Sequence, residues 1–113
     1  MTATEIDKDL VDVIQMSANY PSILRMGVFG SYARGDQTSE SDIDIIYDYD
    51  ETQVDDMLDC LDAILNEIEK KNKKVDFYAY YLLFKDDMTR SGAKFRDNVL
   101  QEIVWIYDRK EIA

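Results

Sequence analysis

Asp42 and Asp44 stand two residues apart in SDIDIIYDYD, with isoleucine between them and two more after them. On an extended chain alternate side chains share a face, so both carboxylates point the same way, about 6.6 Å apart along the strand. Ile43, Ile45 and Tyr47 then point to the other face, toward a core. Two carboxylates at this spacing can share a pair of metal ions about 3.5–4 Å apart, given a third ligand from a neighbouring strand. VDFYAY offers one in Asp76, a single acid inside an apolar run. A set of oxygen ligands without Cys or His selects hard cations, Mg²⁺ first and Mn²⁺ second. A carboxylate here can also accept the proton of an attacking hydroxyl. A half-exposed strand alternating Asp with Ile would carry the same pair, and Asp76 beside Lys74 would suit a strand start facing water. Spacing alone leaves both readings open. Asp48 and Asp50 share the parity of Asp42, but Asp48 lies about 20 Å along an extended chain. These two are assigned to solvent.

Gly30-Ser31 follows an apolar run, Ile23 to Phe29, and opens a short helical stretch. Glycine allows close backbone approach, and exposed N–H groups at such a turn attract phosphate. A Gly-Ser pair alone is also an ordinary turn. The grammar is more specific when strand, Gly-Ser turn and Ser-Asp-x-Asp follow one another within about twenty residues.

These side chains need elements to hold them. The first helix is expected over residues 5–16 from the spacing of Ile6, Leu10, Val13, Ile14 and Met16, with Thr4 as its N-cap. Asn19-Tyr20-Pro21 ends it. Strands follow at 23–29 and 42–49, separated by the Gly30–Gly35 turn with its brief helix and a polar loop over 36–40. Residues 53–69 form the strongest helix: Val54, Met57, Leu58, Leu61, Ile64, Leu65 and Ile68 make an apolar stripe, with Cys60 slightly off it. Lys70, Lys71, Lys73 and Lys74 follow as a solvated helix end. A strand at 75–80, an undecided stretch at 81–90, a helix at 95–103 and a strand at 104–107 complete the chain. The fold class is α/β (α+β): one domain over residues 1–113, a small mixed sheet of about four strands flanked by helices.

Composition narrows the chemistry. The 113 residues carry 24 acids against 13 bases, a formal charge of −11, which disfavours general nucleic-acid binding and suits cations or a basic protein partner. Histidine is absent, which removes a Ser-His-Asp triad, a His-based zinc site and a histidine base. No apolar run reaches the roughly 20 residues of a membrane span, and the polar N-terminus has no signal-peptide core. The single cysteine fits a reducing compartment, so a cytoplasmic location is expected.

GSYARG followed by SDIDIIYDY and a later VDF resembles the nucleotidyltransferase superfamily of DNA polymerase beta type, and most of all its small stand-alone members, the minimal nucleotidyltransferases. The resemblance covers residues 23–107. It implies that Gly30 and Ser31 hold nucleotide phosphates, that Asp42 and Asp44 bind two metal ions, and that Asp76 completes the set. It places Arg34 where family members often carry a basic residue near the phosphates; a surface arginine at a helix end fits equally. Ser41 precedes the first aspartate, where its hydroxyl can cap the loop. The implied reaction is nucleotidyl transfer from ATP with Mg²⁺: an acceptor hydroxyl attacks the α-phosphorus and pyrophosphate leaves.

Larger relatives carry a helical domain that grips the acceptor, and this chain stops right after its last expected strand. The acceptor is therefore expected on a separate partner. The resemblance implies a helical HEPN-type toxin, silenced by transfer of AMP to a tyrosine hydroxyl, which makes this chain an antitoxin. Two other readings stand beside it. One is a non-catalytic antitoxin that neutralises a basic partner by contact, with Tyr78, Tyr80, Tyr81 and Phe84 as its surface, although strand aromatics more often face a core. The other is a nucleotidyltransferase acting on a small molecule or RNA with a separate helical subunit. Lys85, Arg90, Lys94 and Arg96 could reach triphosphate or partner, and the sequence assigns them no role.

Overall fold

A computed structural model describes residues 6–84 and 89–112. Helix α1 spans Lys8–Gln15 and runs into a 3₁₀ turn over Met16–Asn19; strand β1 covers Ile23–Phe29, helix α2 Ser31–Arg34 and strand β2 Ile43–Tyr49. Helix α3 spans Val54–Glu69, strand β3 Val75–Ala79, a 3₁₀ segment Tyr80–Phe84, helix α4 Arg90–Glu102, strand β4 Val104–Asp108 and helix α5 Arg109–Ile112. The sheet order is β3-β2-β1-β4. β1 pairs antiparallel with β2 and with β4, whereas β2 and β3 pair in parallel. A parallel neighbour requires a crossover, and α3 supplies it.

Both faces of the sheet are covered. On one, Ile14 of α1 and Met57, Cys60, Ile64 and Ile68 of α3 pack on Ile23, Met26, Val28, Ile43, Ile45 and Tyr47. A register shift between Ile23 and Arg25 lets Ile23 and Met26, three apart, face the same side. On the other face Phe29 and Ile46 meet Leu83 and Val99 of the 3₁₀ segment and α4, with Tyr78, Tyr80, Ile103 and Trp105 around them. β2 therefore alternates between two apolar layers rather than between core and water. Ile46, with the parity of Asp42 and Asp44, is fully buried.

The expected mixed four-stranded sheet flanked by helices is the observed one. Several boundaries move for local reasons. The first helix starts at Lys8, because Asp7 caps it by accepting from the N–H groups of Asp9 and Leu10. Thr4, the expected cap, lies outside the described residues. β2 begins at Ile43, so Asp42 is the last loop residue, and β3 ends at Ala79 where the 3₁₀ segment begins. α4 starts at Arg90 rather than Phe95, with the Thr89 hydroxyl accepting from the Gly92 N–H at 3.1 Å.

The stripe of α3 is also rotated from expectation. Cys60 is fully buried and its thiol pKa is pushed up to about 12, first by burial and then by Asp56, whereas Val54 and Leu58 are exposed. Asp48 is not left to solvent. It pairs with Arg25 at 3.3 Å, and the Arg25 guanidinium is sandwiched 4.4 Å from the Tyr80 ring centre and 4.1 Å from that of Trp105. Asp50 accepts from the Thr52 N–H and hydroxyl and from the Gln53 amide, and these bonds lower its pKa to about 2.

Gly27 sits where β1 and β4 come closest. A Cβ there would stand 2.9 Å from Trp105 Cα and would run into the Val104 carbonyl oxygen, both backbone atoms that cannot rotate away. Gly27→Ala is expected to cost about 1–3 kcal/mol of stability by forcing β4 outward, read as a lower urea midpoint with an unchanged slope.

Candidate active site

β2 and β3 run in parallel register with Asp44 directly opposite Asp76, and β1 ends with Phe29 opposite Asp44. The chain then leaves β1 through Gly30, which has φ +72° and ψ −149°, and turns into α2. That conformation favours glycine, and so does the space: a Cβ at residue 30 would lie 2.6 Å from Asp44 Oδ2. Strand end, turn and acid therefore meet within a few ångströms. The loop before Asp42 is pinned by its own hydroxyls. Thr38 donates its N–H to Ser41 Oγ at 2.9 Å, which gives Ser41 the loop-capping role expected of it.

A cavity of about 500 Å³ opens at this point, lined by Gly30, Ser31, Arg34, Ser41, Asp42, Asp44 and Asp76. Every site residue singled out in the sequence reaches it. Asp48 and Asp50 do not line it, as their distance along β2 implied. Its fourth wall was not foreseen: Phe95, Asn98, Val99 and Glu102 of α4 close it. Their spacing of three, one and three is a helical face and was visible in the sequence as such. The acidic and amide members lay outside its apolar pattern, so nothing pointed to a site. The aromatic floor comes from Phe29, with Tyr78 edge-on at 5.1 Å between ring centres and Phe95 at 6.2 Å.

Arg34 sits on the rim between two acids. Its Nε donates to Asp36 Oδ2 at 3.1 Å and its Nη1 to Glu102 Oε1 at 2.9 Å, which raise its pKa further. Glu102 also accepts from the Gly30 N–H, through Oε2 at 3.2 Å. Arg34 thus lines the cavity with its guanidinium paired to two acids. Arg90 and Lys94 are exposed on α4, Arg96 pairs with Asp97 at 3.4 Å, and Lys85 lies outside the described residues.

The acids carry the strain of their placement. Burial raises the Asp44 carboxyl above the usual aspartate range, and the charges of Asp76 and Asp42 raise it further. Tyr78 beneath them is raised by burial and then by the same three acids. Among the described residues no three such side chains are already drawn together as a closed cage for an ion. The donor set still fits a hard divalent cation: the carboxylates of Asp42, Asp44 and Asp76, with Glu102 opposite and no softer ligand around the cavity, repel one another in a way that a cation would relieve. Asp42, Asp44 and Asp76 are the residues that would hold it.

Because the folded protein raises the Asp44 pKa, it holds that proton more tightly than the unfolded chain does. The resulting destabilisation is absent below the unfolded value, grows as pH rises through the folded value and is complete at neutral pH. Asp44→Asn is expected to raise the melting temperature by about 2–4 °C at neutral pH. That is the effect of roughly 0.5 kcal/mol in a domain of this size, allowing for solvent screening of a half-buried group. The difference should close near pH 3, where both states are protonated. Thermal denaturation followed by circular dichroism at the two pH values reads it.

Known proteins resemble this chain in sequence and in fold. The family described as "Polymerase beta, Nucleotidyltransferase" matches residues 11–112. A curated protein of Methanocaldococcus jannaschii, named "Putative protein adenylyltransferase MJ1379", is 36% identical over 64 residues; the match takes in 50% of this chain and 64% of that one, so the chain spans less than two thirds of this relative. Among solved structures, one described as a "putative minimal nucleotidyltransferase" superposes with a TM-score of 0.59 at 22% identity, covering 86% of this chain and 88% of the other. Another, described as a toxin-antitoxin with AMP-PNP, gives a TM-score of 0.57 at 16% identity, covering 92% and 74%. At these identities the two structures speak for the fold, and the family match extends over nearly the whole chain. The chain belongs to the polymerase beta nucleotidyltransferase family.

Proposed function

We propose that this chain is a metal-dependent protein adenylyltransferase that moves AMP from ATP to a hydroxyl of a separate protein, a tyrosine of a HEPN-type toxin, and so acts as its antitoxin. The observation that carries the reading is the convergence of Asp42, Asp44 and Asp76 on one cavity with the Gly30-Ser31 turn at its edge. The M. jannaschii relative, named for protein adenylyl transfer, supports the choice of a protein acceptor. The AMP-PNP and the toxin-antitoxin pairing named for the second solved structure agree with ATP as donor and a toxin as partner.

The residues divide the work as follows. Ser31 and the Gly30 backbone offer donors to the phosphates, and Gly30, lacking a side chain, lets them approach Asp44. Arg34 supplies positive charge at the rim, held there by Asp36. Asp42 at the end of the loop, Asp44 on β2 and Asp76 on β3 would hold two Mg²⁺ ions, with Mn²⁺ as a substitute. Bound there, the ions would offset the charge of the triphosphate and of the departing pyrophosphate. Asp76, paired with Asp44 across the two strands, would accept the proton of the incoming hydroxyl. Phe29 and Phe95 give the cavity an apolar side, with Tyr78 packed against both rings.

The test is to incubate the purified chain with ATP, Mg²⁺ and the protein encoded beside it, and to weigh the partner intact. An added AMP on a tyrosine is expected, and Asp42→Asn combined with Asp44→Asn should lower its rate by at least about 100-fold. An unmodified partner, under conditions where an active relative modifies its own, would overturn the reading. Protection by the double variant without any adduct would favour neutralisation by contact alone.

A further inference from the structure

We propose that Glu102 is a displaceable internal anion that occupies the phosphate position of the Gly30 turn, so that a polyphosphate enters by exchanging with it. This rests on the reading of the cavity as a nucleotide site and adds a competitor built into the chain. Glu102 Oε2 accepts from the Gly30 N–H at 3.2 Å while Oε1 accepts from Arg34 Nη1 at 2.9 Å. Two oxygens of one anion spanning a backbone N–H and a guanidinium is the pattern two phosphate oxygens would make. A phosphate therefore finds both donors taken, and taken by the same group.

The surroundings suit exchange. Glu102 is the last residue of α4 and its side chain is 29% exposed, so rotation about its own bonds carries it into water without moving the helix. Arg34 does not lose its aim when Glu102 leaves, because Asp36 holds a different nitrogen, Nε, at 3.1 Å. Until a ligand arrives, Glu102 holds the guanidinium at the rim of the cavity. Because only the fraction of molecules with Glu102 swung out is competent to bind, the apparent affinity for polyphosphate is reduced by that fraction.

The probe is tripolyphosphate with Mg²⁺, titrated by calorimetry into wild type, Glu102→Gln and Glu102→Asp. The glutamine variant removes the charge. The aspartate variant keeps the charge but is one methylene too short to bridge both donors. Tighter binding by about 3- to 10-fold in both variants is expected, together with a shifted Gly30 amide signal in the ligand-free spectra. Tightening in the glutamine variant alone would mean that only net charge matters and would overturn the proposal. Unchanged or weaker binding in both would make Glu102 a brace for the turn and overturn it as well, as would failure of all three proteins to bind. Adenylyl transfer to the partner separates this from the reading it rests on. An adduct with equal affinities leaves the transferase standing and removes the exchange; tightening without an adduct does the reverse.

Discussion

Parallel pairing of β2 with β3 places Asp44 beside Asp76, and most of the molecule follows from that single juxtaposition. Like charges on adjacent strands repel, and nothing in the local strand geometry prefers them. They are held because the same two strands are fastened elsewhere. Ile45 and Ile46 anchor opposite faces of β2 in two separate apolar layers, and α3 clamps the crossover that makes the parallel pair possible. Burial of branched aliphatic side chains on both sides, at roughly 1.5–3 kcal/mol each, outweighs a repulsion among partly solvated acids. The price falls on the site and the support comes from the rest of the sheet.

That division explains what the sequence disclosed. Local grammar was legible: the acids on alternate positions, the glycine turn, the extent of α3 to within one residue and β1 to the residue. Contacts across the second layer were not. The alternation Asp42, Ile43, Asp44, Ile45 reads as one wet and one dry face, yet Ile46 breaks the pattern because α4 and the 3₁₀ segment roof that face. Arg25 and Asp48 look like surface charges and instead pair with each other, with the Arg25 guanidinium between the rings of Tyr80 and Trp105. Glu102 had no signal at all, because its role depends on Gly30, seventy-two residues earlier. The start of α1 moved for a simpler reason: the Asp7 side chain accepts from the N–H groups of Asp9 and Leu10 and caps the helix there.

The turn and the acids also constrain each other. Gly30 has a backbone conformation that disfavours a side chain and a neighbour, Asp44 Oδ2, that leaves no room for one. Strain at the turn and charge at the strand end are therefore one feature, not two. This is a common arrangement where a backbone must come close to a bound anion, and here the same glycine also serves the Glu102 carboxylate.

The two apolar layers carry one native reporter each. Trp105 is the only tryptophan in the chain and stands with the layer under α4; Cys60 is the only thiol and lies in the layer under α3. Indole emission and thiol labelling thus observe opposite sides of the same sheet without any engineered label. Coincident transitions from the two would mark the domain as one cooperative unit, and divergent ones would show that the α4 side opens by itself.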